Sequence, residues 1–164
     1  MYVMGIAGWK NVGKTTLVES LIPVLRSHGA RVSTIKHTHH SVDLDQPGKD
    51  TYRHRDAGAE EVMLVSSSRS ALLREVRDSK PPLLEDLLTR MTPVDIVLIE
   101  GFKKWPHDKI EIYRKAIGGD VLAMTDKTIK GVVTDAIMEG LTVPLFGLND
   151  TDRLARFVLE QAAL

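Results

Sequence analysis

The chain has 164 residues, 22 Lys+Arg against 22 Asp+Glu, 43% apolar residues and no cysteine. That length suits one domain with its own core, and the globular composition excludes a disordered chain. The zero net charge excludes a general grip on polyanions as the main activity, and the missing thiols exclude disulfide scaffolds, Cys-ligated zinc and iron–sulfur clusters.

Taken in chain order, Tyr2–Ala7 is a short apolar run ending at Gly8 and suits a buried strand. From Lys14 to His28, Leu17, Leu21 and Leu25 recur every four residues beside Val18 and Ile22, which is helical spacing, and Gly29 supplies the stop. Pro23 inside that helix deletes the bond to the Glu19 carbonyl and should kink it. Arg31–Lys36 reads as the second strand, completing a βαβ unit and implying a parallel sheet with helices on its faces. His37–Gly48 is polar and reads as a loop, and Lys49–Ala57 as a short helix closed by Gly58. Glu61–Ser66 and Arg69–Val76 flank three serines and predict a hairpin. A helix over Leu83–Met91 follows Pro81-Pro82, and Val94–Ile99 is the most apolar strand. Lys109–Tyr113, Val121–Thr125, Gly131–Thr134 and Val143–Phe146 are further strand candidates. Asp150–Leu164 closes the chain as an amphipathic helix with Leu154, Phe157, Val158 and Gln161 near its inner face. No repeat or linker interrupts the series, so residues 1–164 read as a single domain. No run approaches the roughly 20 apolar residues that span a bilayer, and no basic signal region opens the chain, so the expected location is the cytoplasm.

The stretch Gly8-Trp9-Lys10-Asn11-Val12-Gly13-Lys14-Thr15 fits G-x-x-x-x-G-K-[ST] without a mismatch, and Thr16 follows it. Its glycines permit tight turns that aim successive N–H groups inward, forming a nest for phosphate oxygens. The loop runs into the start of the Lys14–His28 helix, whose unpaired amides and dipole also favour an anion. Lys14 is placed to reach the β- and γ-phosphates, and the Thr15 hydroxyl to take one position on Mg²⁺. A strand before and a helix after the motif fit the context this loop requires. Some dimeric ATPases reach the partner's nucleotide with a lysine at the second loop position; here that position is Trp9, so Lys10 has no such role. Trp9 and Trp105 read as packing or rim residues.

Phosphoryl sites of this type take a second Mg²⁺ ligand from the end of a neighbouring apolar strand. Glu100 falls at the carboxyl end of Val94–Ile99, where ligands sit in open parallel sheets, whereas Asp95 opens the strand. Glu100 is therefore the choice, and Gly101 lets the backbone approach the γ-phosphate. The loop after the second strand holds Lys36, His37, His39 and His40, and four of the six histidines lie between His37 and His54. Contact with phosphate or a substrate anion, a transition-metal site and a solvated loop all remain open for them. Asp50 begins a short helix and offers a carboxylate to the Mg²⁺ shell, in competition with Asp43 and Asp45. Arg53 and Arg55, about one helical turn further on, suit a substrate phosphate or a surface charge pair.

Three blocks in order, Gly8–Thr16, Lys36-His37-Thr38-His39-His40 through Asp50-Thr51-Tyr52 with Arg55 and Ala57-Gly58-Ala59, and Ile99-Glu100-Gly101-Phe102-Lys103, resemble the molybdopterin-guanine dinucleotide biosynthesis protein B (MobB) family. The resemblance spans nearly the whole chain, and the Lys-His-Thr-His-His and Pro-Gly-Lys-Asp blocks are more specific than the phosphate loop alone. It implies an α/β, three-layer P-loop NTPase fold with a mostly parallel sheet and a hairpin extension. It also implies GTP and Mg²⁺ as cofactors, with Thr15, Asp50 and Glu100 at the metal, and feeble hydrolysis at most. The implied role is that of an adapter for the molybdenum cofactor guanylyltransferase that joins GMP to molybdopterin, working as a homodimer, for which pairing through an added strand would suit the Glu61–Val76 hairpin; the zero net charge and the lack of a spanning run give the expectation of no nucleic acid and no membrane as partner.

The Asn-Lys-x-Asp signature by which most GTPases read guanine is absent. Asp126, in Thr125-Asp126-Lys127, follows a strand candidate and is the expected acceptor, while Asn149-Asp150 reads better as a helix cap. Preference for GTP over ATP rests on the resemblance. A small-molecule kinase or ligase of the dethiobiotin synthetase type, and a metallochaperone GTPase suggested by the histidines, stand as competing functions.

Overall fold

The computed structural model describes residues 1–38, 42–77, 80–102 and 105–164. The sequence reading treats 1–164 as one domain; the backbone separates into two compact units, Met1–Thr38 with Thr92–Leu164, and His39–Met91.

The first unit is built on strands β1 (Tyr2–Ala7), β2 (Val32–Lys36), β5 (Ile96–Glu100), β6 (Lys109–Tyr113), β7 (Ile129–Thr134) and β8 (Leu145–Phe146), with helices α1 (Lys14–Ser27) and α4 (Thr151–Gln161). The strands form one sheet in the order β2-β5-β1-β6-β7-β8, and every paired neighbour is parallel. The α/β class and parallel sheet expected from the sequence are thus present. The second unit holds α2 (Asp50–Asp56), the antiparallel hairpin β3 (Glu61–Val65) and β4 (Ser70–Arg74), and α3 (Leu84–Arg90). Among the described residues no helix is long and apolar enough to cross a membrane.

Alternation along the strands sends side chains to opposite faces of the sheet. Met4, Ile6, Leu98, Ile110, Ile112 and Val133 share one cluster with Leu17, Leu21 and Leu25 of α1 and Leu154, Ala155 and Val158 of α4. On the other face Ala7, Ile129 and Val132 pack under Leu122, Met138, Leu141 and Val143. Val97 and Ile99 are wholly buried as well, as a strand covered on both faces requires.

Helix α1 continues through Pro23, with Leu21 and Leu25 completely buried on either side of it. It ends as expected at Gly29 (φ 89°), where the Gly29 and Ala30 amides donate to the Arg26 and Leu25 carbonyls. On α4, Ala155 takes the inward place given to Gln161, which is exposed. The strand candidate Val121–Thr125 is instead a 3₁₀ turn over Leu122–Met124. Its cause is Glu111, a buried carboxylate on β6 that accepts the Leu122 and Ala123 amides, each at 2.8 Å, and draws the segment out of strand geometry.

Candidate functional site

At the end of β1 the chain enters the Gly8–Thr15 loop and leaves it as α1. Gly8 (φ 143°) and Gly13 (φ 102°) occupy the backbone region that side chains rarely adopt, and a Cβ on Gly8 would come within 2.5 Å of the Ile112 carbonyl. Asn11 also has positive φ, at 63°. Val12 is buried and pins the loop to the core, while Lys10, Asn11, Thr15 and Thr16 face solvent. The Lys14 ammonium folds back over the loop and donates to the carbonyls of Trp9 (2.7 Å) and Gly8 (3.1 Å). It lies over the cup that a phosphate would fill.

Glu100 ends β5, adjacent to β1, and accepts the Thr15 hydroxyl at 3.1 Å. Lys36, ending β2 on the other side of β5, pairs with the same carboxylate at 3.3 Å. The hydroxyl and carboxylate selected from sequence therefore meet at the mouth of the loop. Two hard oxygen donors at one spot are a donor set that fits Mg²⁺. Gly101 (φ 111°) allows the close approach of His37: a Cβ there would lie 2.7 Å from the His37 Cβ. The His37 amide donates to the Glu100 carbonyl and its ring lies 4.4 Å from that of Phe102. Asp95, the rejected alternative, is at the opposite end of β5, where Arg31 bonds its carboxylate and holds its pKa below the usual range.

His39, His40 and Lys103 lie outside the described residues. Among the described residues no group of three or more His, Asp or Glu side chains is arranged to hold a metal ion.

In the second unit the three competing aspartates separate cleanly. Arg55 bonds both oxygens of Asp43 (2.9 Å each), one of Asp45 (3.3 Å) and one of Glu75 (2.7 Å). Asp45 further accepts the Thr51 hydroxyl at 2.9 Å. Asp43 and Asp45 are thus occupied internally, and Arg55, considered above for a substrate phosphate, is the hub of that network. Asp50, the first residue of α2, is exposed, and its carboxylate has no hydrogen bond or ion pair among the described residues.

The expectation for Asp126 needs correction. The residue precedes β7, so it lies at the entering end of the parallel strands, whereas the Gly8–Thr15 loop lies at the leaving end. Its carboxylate accepts the Thr128 amide (2.9 Å) and hydroxyl (2.6 Å) and faces the Lys109 ammonium at 3.7 Å. It closes a turn and is not placed to read a base above the phosphate loop. Asp150 is the first-turn cap position of α4, with its carboxylate turned back to the Gly147 amide.

Three features escaped the sequence reading. Lys109 is buried, donating to the Trp105 and His107 carbonyls and the Thr128 hydroxyl. Arg114 follows β6, and its Nη2 lies 3.5 Å from where a Cβ on Gly13 would stand, while its Nε is buried without a partner among the described residues. A cationic side chain thus lies beside the loop. The Trp9 indole donates to the Asp120 carbonyl at 2.8 Å and packs on Gly119, latching the segment after β6 to the phosphate loop. No spacing rule flags these contacts, because those of Arg114 and Trp9 depend on β6 lying next to β1 and that of Lys109 with Thr128 on β7 lying next to β6.

A family model described as MobB, molybdopterin guanine dinucleotide synthesis protein B, matches residues 3–135. The chain is 39% identical over 161 residues to the molybdopterin-guanine dinucleotide biosynthesis adapter protein of Escherichia coli (strain K12), covering 96% of this chain and 91% of that one. It is 37% identical over 158 residues to the adapter protein of the same description from Haemophilus influenzae, covering 95% and 86%. It is similar to a crystal structure of molybdopterin-guanine biosynthesis protein B (mobB), with a TM-score of 0.78 and 27% identity over 99% of both chains. Matched by that model over most of its length and by those relatives nearly end to end, the chain belongs to the MobB family.

Proposed function

We propose that this protein binds GTP with Mg²⁺ and serves as a cytoplasmic adapter to the guanylyltransferase that attaches GMP to molybdopterin. The observation that carries the reading is the meeting of Thr15 and Glu100 at the mouth of a Gly8–Thr15 loop whose Lys14 folds over the cup. Membership of the family, whose relatives are described as molybdopterin-guanine dinucleotide biosynthesis adapter proteins, supplies the pathway.

In this reading the loop amides and the start of α1 receive the β- and γ-phosphates, and Lys14 exchanges its two carbonyl contacts for phosphate oxygens. Thr15 and Glu100 would hold Mg²⁺, which would neutralise phosphate charge when bound. Lys36 orients the Glu100 carboxylate by its ion pair. Hydrolysis is a slow side activity, because Glu100 is shared between Thr15 and Lys36 and acts as a ligand, not as a base. Residues 1–164 act as one functional protein despite their two units. A homodimer forms through the hairpin, where Met63, Leu64, Val65 and Leu72 are exposed.

Calorimetric titration with GTP and ATP, with and without Mg²⁺ and with the purified guanylyltransferase, tests this. The expected result is Mg²⁺-dependent GTP binding at least about tenfold tighter than ATP, a difference near 1.4 kcal/mol, together with a stable complex with the enzyme. Equal affinities, or no complex, overturn it.

A further inference from the structure

With Asp126 at the wrong end of the sheet, the GTP reading lacks a residue that recognises guanine. Strands β1, β6 and β7 run parallel and adjacent, so the chain leaving β7 emerges on the same edge as the Gly8–Thr15 loop, two strands away. A cavity of about 520 Å³ opens there, lined by Tyr113, Val121, Met124, Asp135 and Met138 among others. That volume lies within the range of small-molecule sites, and the lining combines apolar side chains with three charged residues, Lys115, Asp135 and Glu139.

Asp135 is the first residue after β7. One carboxylate oxygen accepts the Lys115 amide at 2.9 Å, tying the residues that follow β6 and β7 together and orienting the side chain. The other oxygen has no partner among the described residues. The opposite wall begins at Val121, directly after the Gly118–Asp120 segment that Trp9 latches to the phosphate loop. One side chain therefore couples the phosphate cup to the wall of the cavity.

We infer that this cavity seats the purine base of the bound nucleotide and that Asp135 selects guanine over adenine. The inference rests on the nucleotide reading above. An ionised carboxylate only accepts hydrogen bonds. Guanine presents two donors on one edge, N1–H and the 2-amino group, and satisfies it. Adenine presents the N1 lone pair at the same place and is repelled. Tyr113, Val121, Met124 and Met138 contact the flat faces of either purine and do not discriminate between them.

The test is Asp135→Asn, which keeps an oxygen for the Lys115 amide while removing the charge. Affinities for GTP, ITP, ATP and inorganic tripolyphosphate are measured with Mg²⁺ on wild type and variant. Wild type should rank GTP above ITP, which lacks the 2-amino group, and ITP above ATP. The variant should lose roughly 10- to 100-fold in GTP affinity, the scale of a lost charge-assisted contact, so that GTP/ATP falls to about one or inverts. Tripolyphosphate binding should not change, and it also reports the folded fraction. A variant that keeps the wild-type GTP/ATP ratio overturns the base pocket alone. A wild type that binds neither tripolyphosphate nor GTP overturns the nucleotide reading beneath it.

Discussion

The two units are held together by different physics. In Met1–Thr38 with Thr92–Leu164, a parallel sheet is sealed by α1 and α4, and side chains such as Met4, Leu21, Leu25, Ile96 and Leu98 have no solvent exposure at all. In His39–Met91, Val62 and Leu84 are the buried apolar residues among those described, while Met63, Leu64, Val65 and Leu72 of the hairpin face outward. What organises that unit is the Arg55 hub with Asp43, Asp45 and Glu75. The lesson is that the phosphate loop is mounted on the stiff unit. An isolated two-stranded hairpin is marginal in water, so the second unit leans on its ion pairs where the first leans on its core.

The largest expected effect sharpens that contrast. Leu21→Ala should destabilise the protein by about 2–5 kcal/mol, because it leaves a cavity in a closed core, whereas Leu72→Ala should cost within about 0.5 kcal/mol, as exposed positions do. Denaturant unfolding measures both. If the hairpin is covered by a second copy, the Leu72 cost grows with protein concentration while the Leu21 cost does not. Equal costs at every concentration break the comparison.

Next in size, Lys14→Ala should weaken triphosphate binding about 100-fold, near 3 kcal/mol, since a charge-assisted contact to phosphate is lost from a preformed cup. Melting temperature should move less than in the Leu21 variant, as no apolar side chain is lost from the closed core. Glu100→Gln should leave affinity without metal intact and reduce the gain on adding Mg²⁺, by about tenfold. A full Mg²⁺ response in that variant removes Glu100 from the metal. Both belong to the stiff unit, so neither should alter proteolysis of the hairpin.

Much of the stiff unit was legible because its signals are local. Leu17, Leu21 and Leu25 repeat at helical spacing, Gly29 stops α1 as its sequence suggests, and the motif from Gly8 to Thr15 lies between a strand and a helix. The place of Glu100 at the end of an apolar strand was legible, and the structure sets its carboxylate beside the Thr15 hydroxyl. Asp126 was misplaced because the apolar run Val121–Thr125 looks like a strand in isolation. Only the buried Glu111, eleven residues earlier and on another element, turns it into a cap. Arg114 and Asp135 were invisible for a related reason. Their approach to the loop or its edge depends on which strand neighbours which, and that order is written in long-range pairing rather than in periodicity. In the second unit, the hairpin and α2 could be read from turn residues, but the pairing of Arg55 with three carboxylates could not.

A last expected effect separates the units by pH. His107 lies against Gly5 in the sheet unit, with both ring nitrogens buried and without partners among the described residues. Burial, and secondarily the Lys109 charge, push its pKa down to about 4, against the opposing pull of Asp108 and Asp126. The unfolded chain therefore binds a proton near pH 6.5 that the folded one refuses until about pH 4. Stability from this group is complete above about pH 6.5 and is lost as pH falls through that window, by at most about 3 kcal/mol and less after solvent screening on its open side. Asp43 behaves differently: its own loop amide and Arg55 hold its pKa below the usual carboxylate value, so its contribution persists until pH drops below about 4. Hydrogen exchange between pH 7 and 4.5 should accordingly show β1 and β6 losing protection while the Arg55 network around α2 holds. His107→Gln should flatten the first response and leave the second unchanged. Loss of the α2 network first would mean that the ion-pair hub, and not the buried imidazole, is the acid-sensitive part of the molecule.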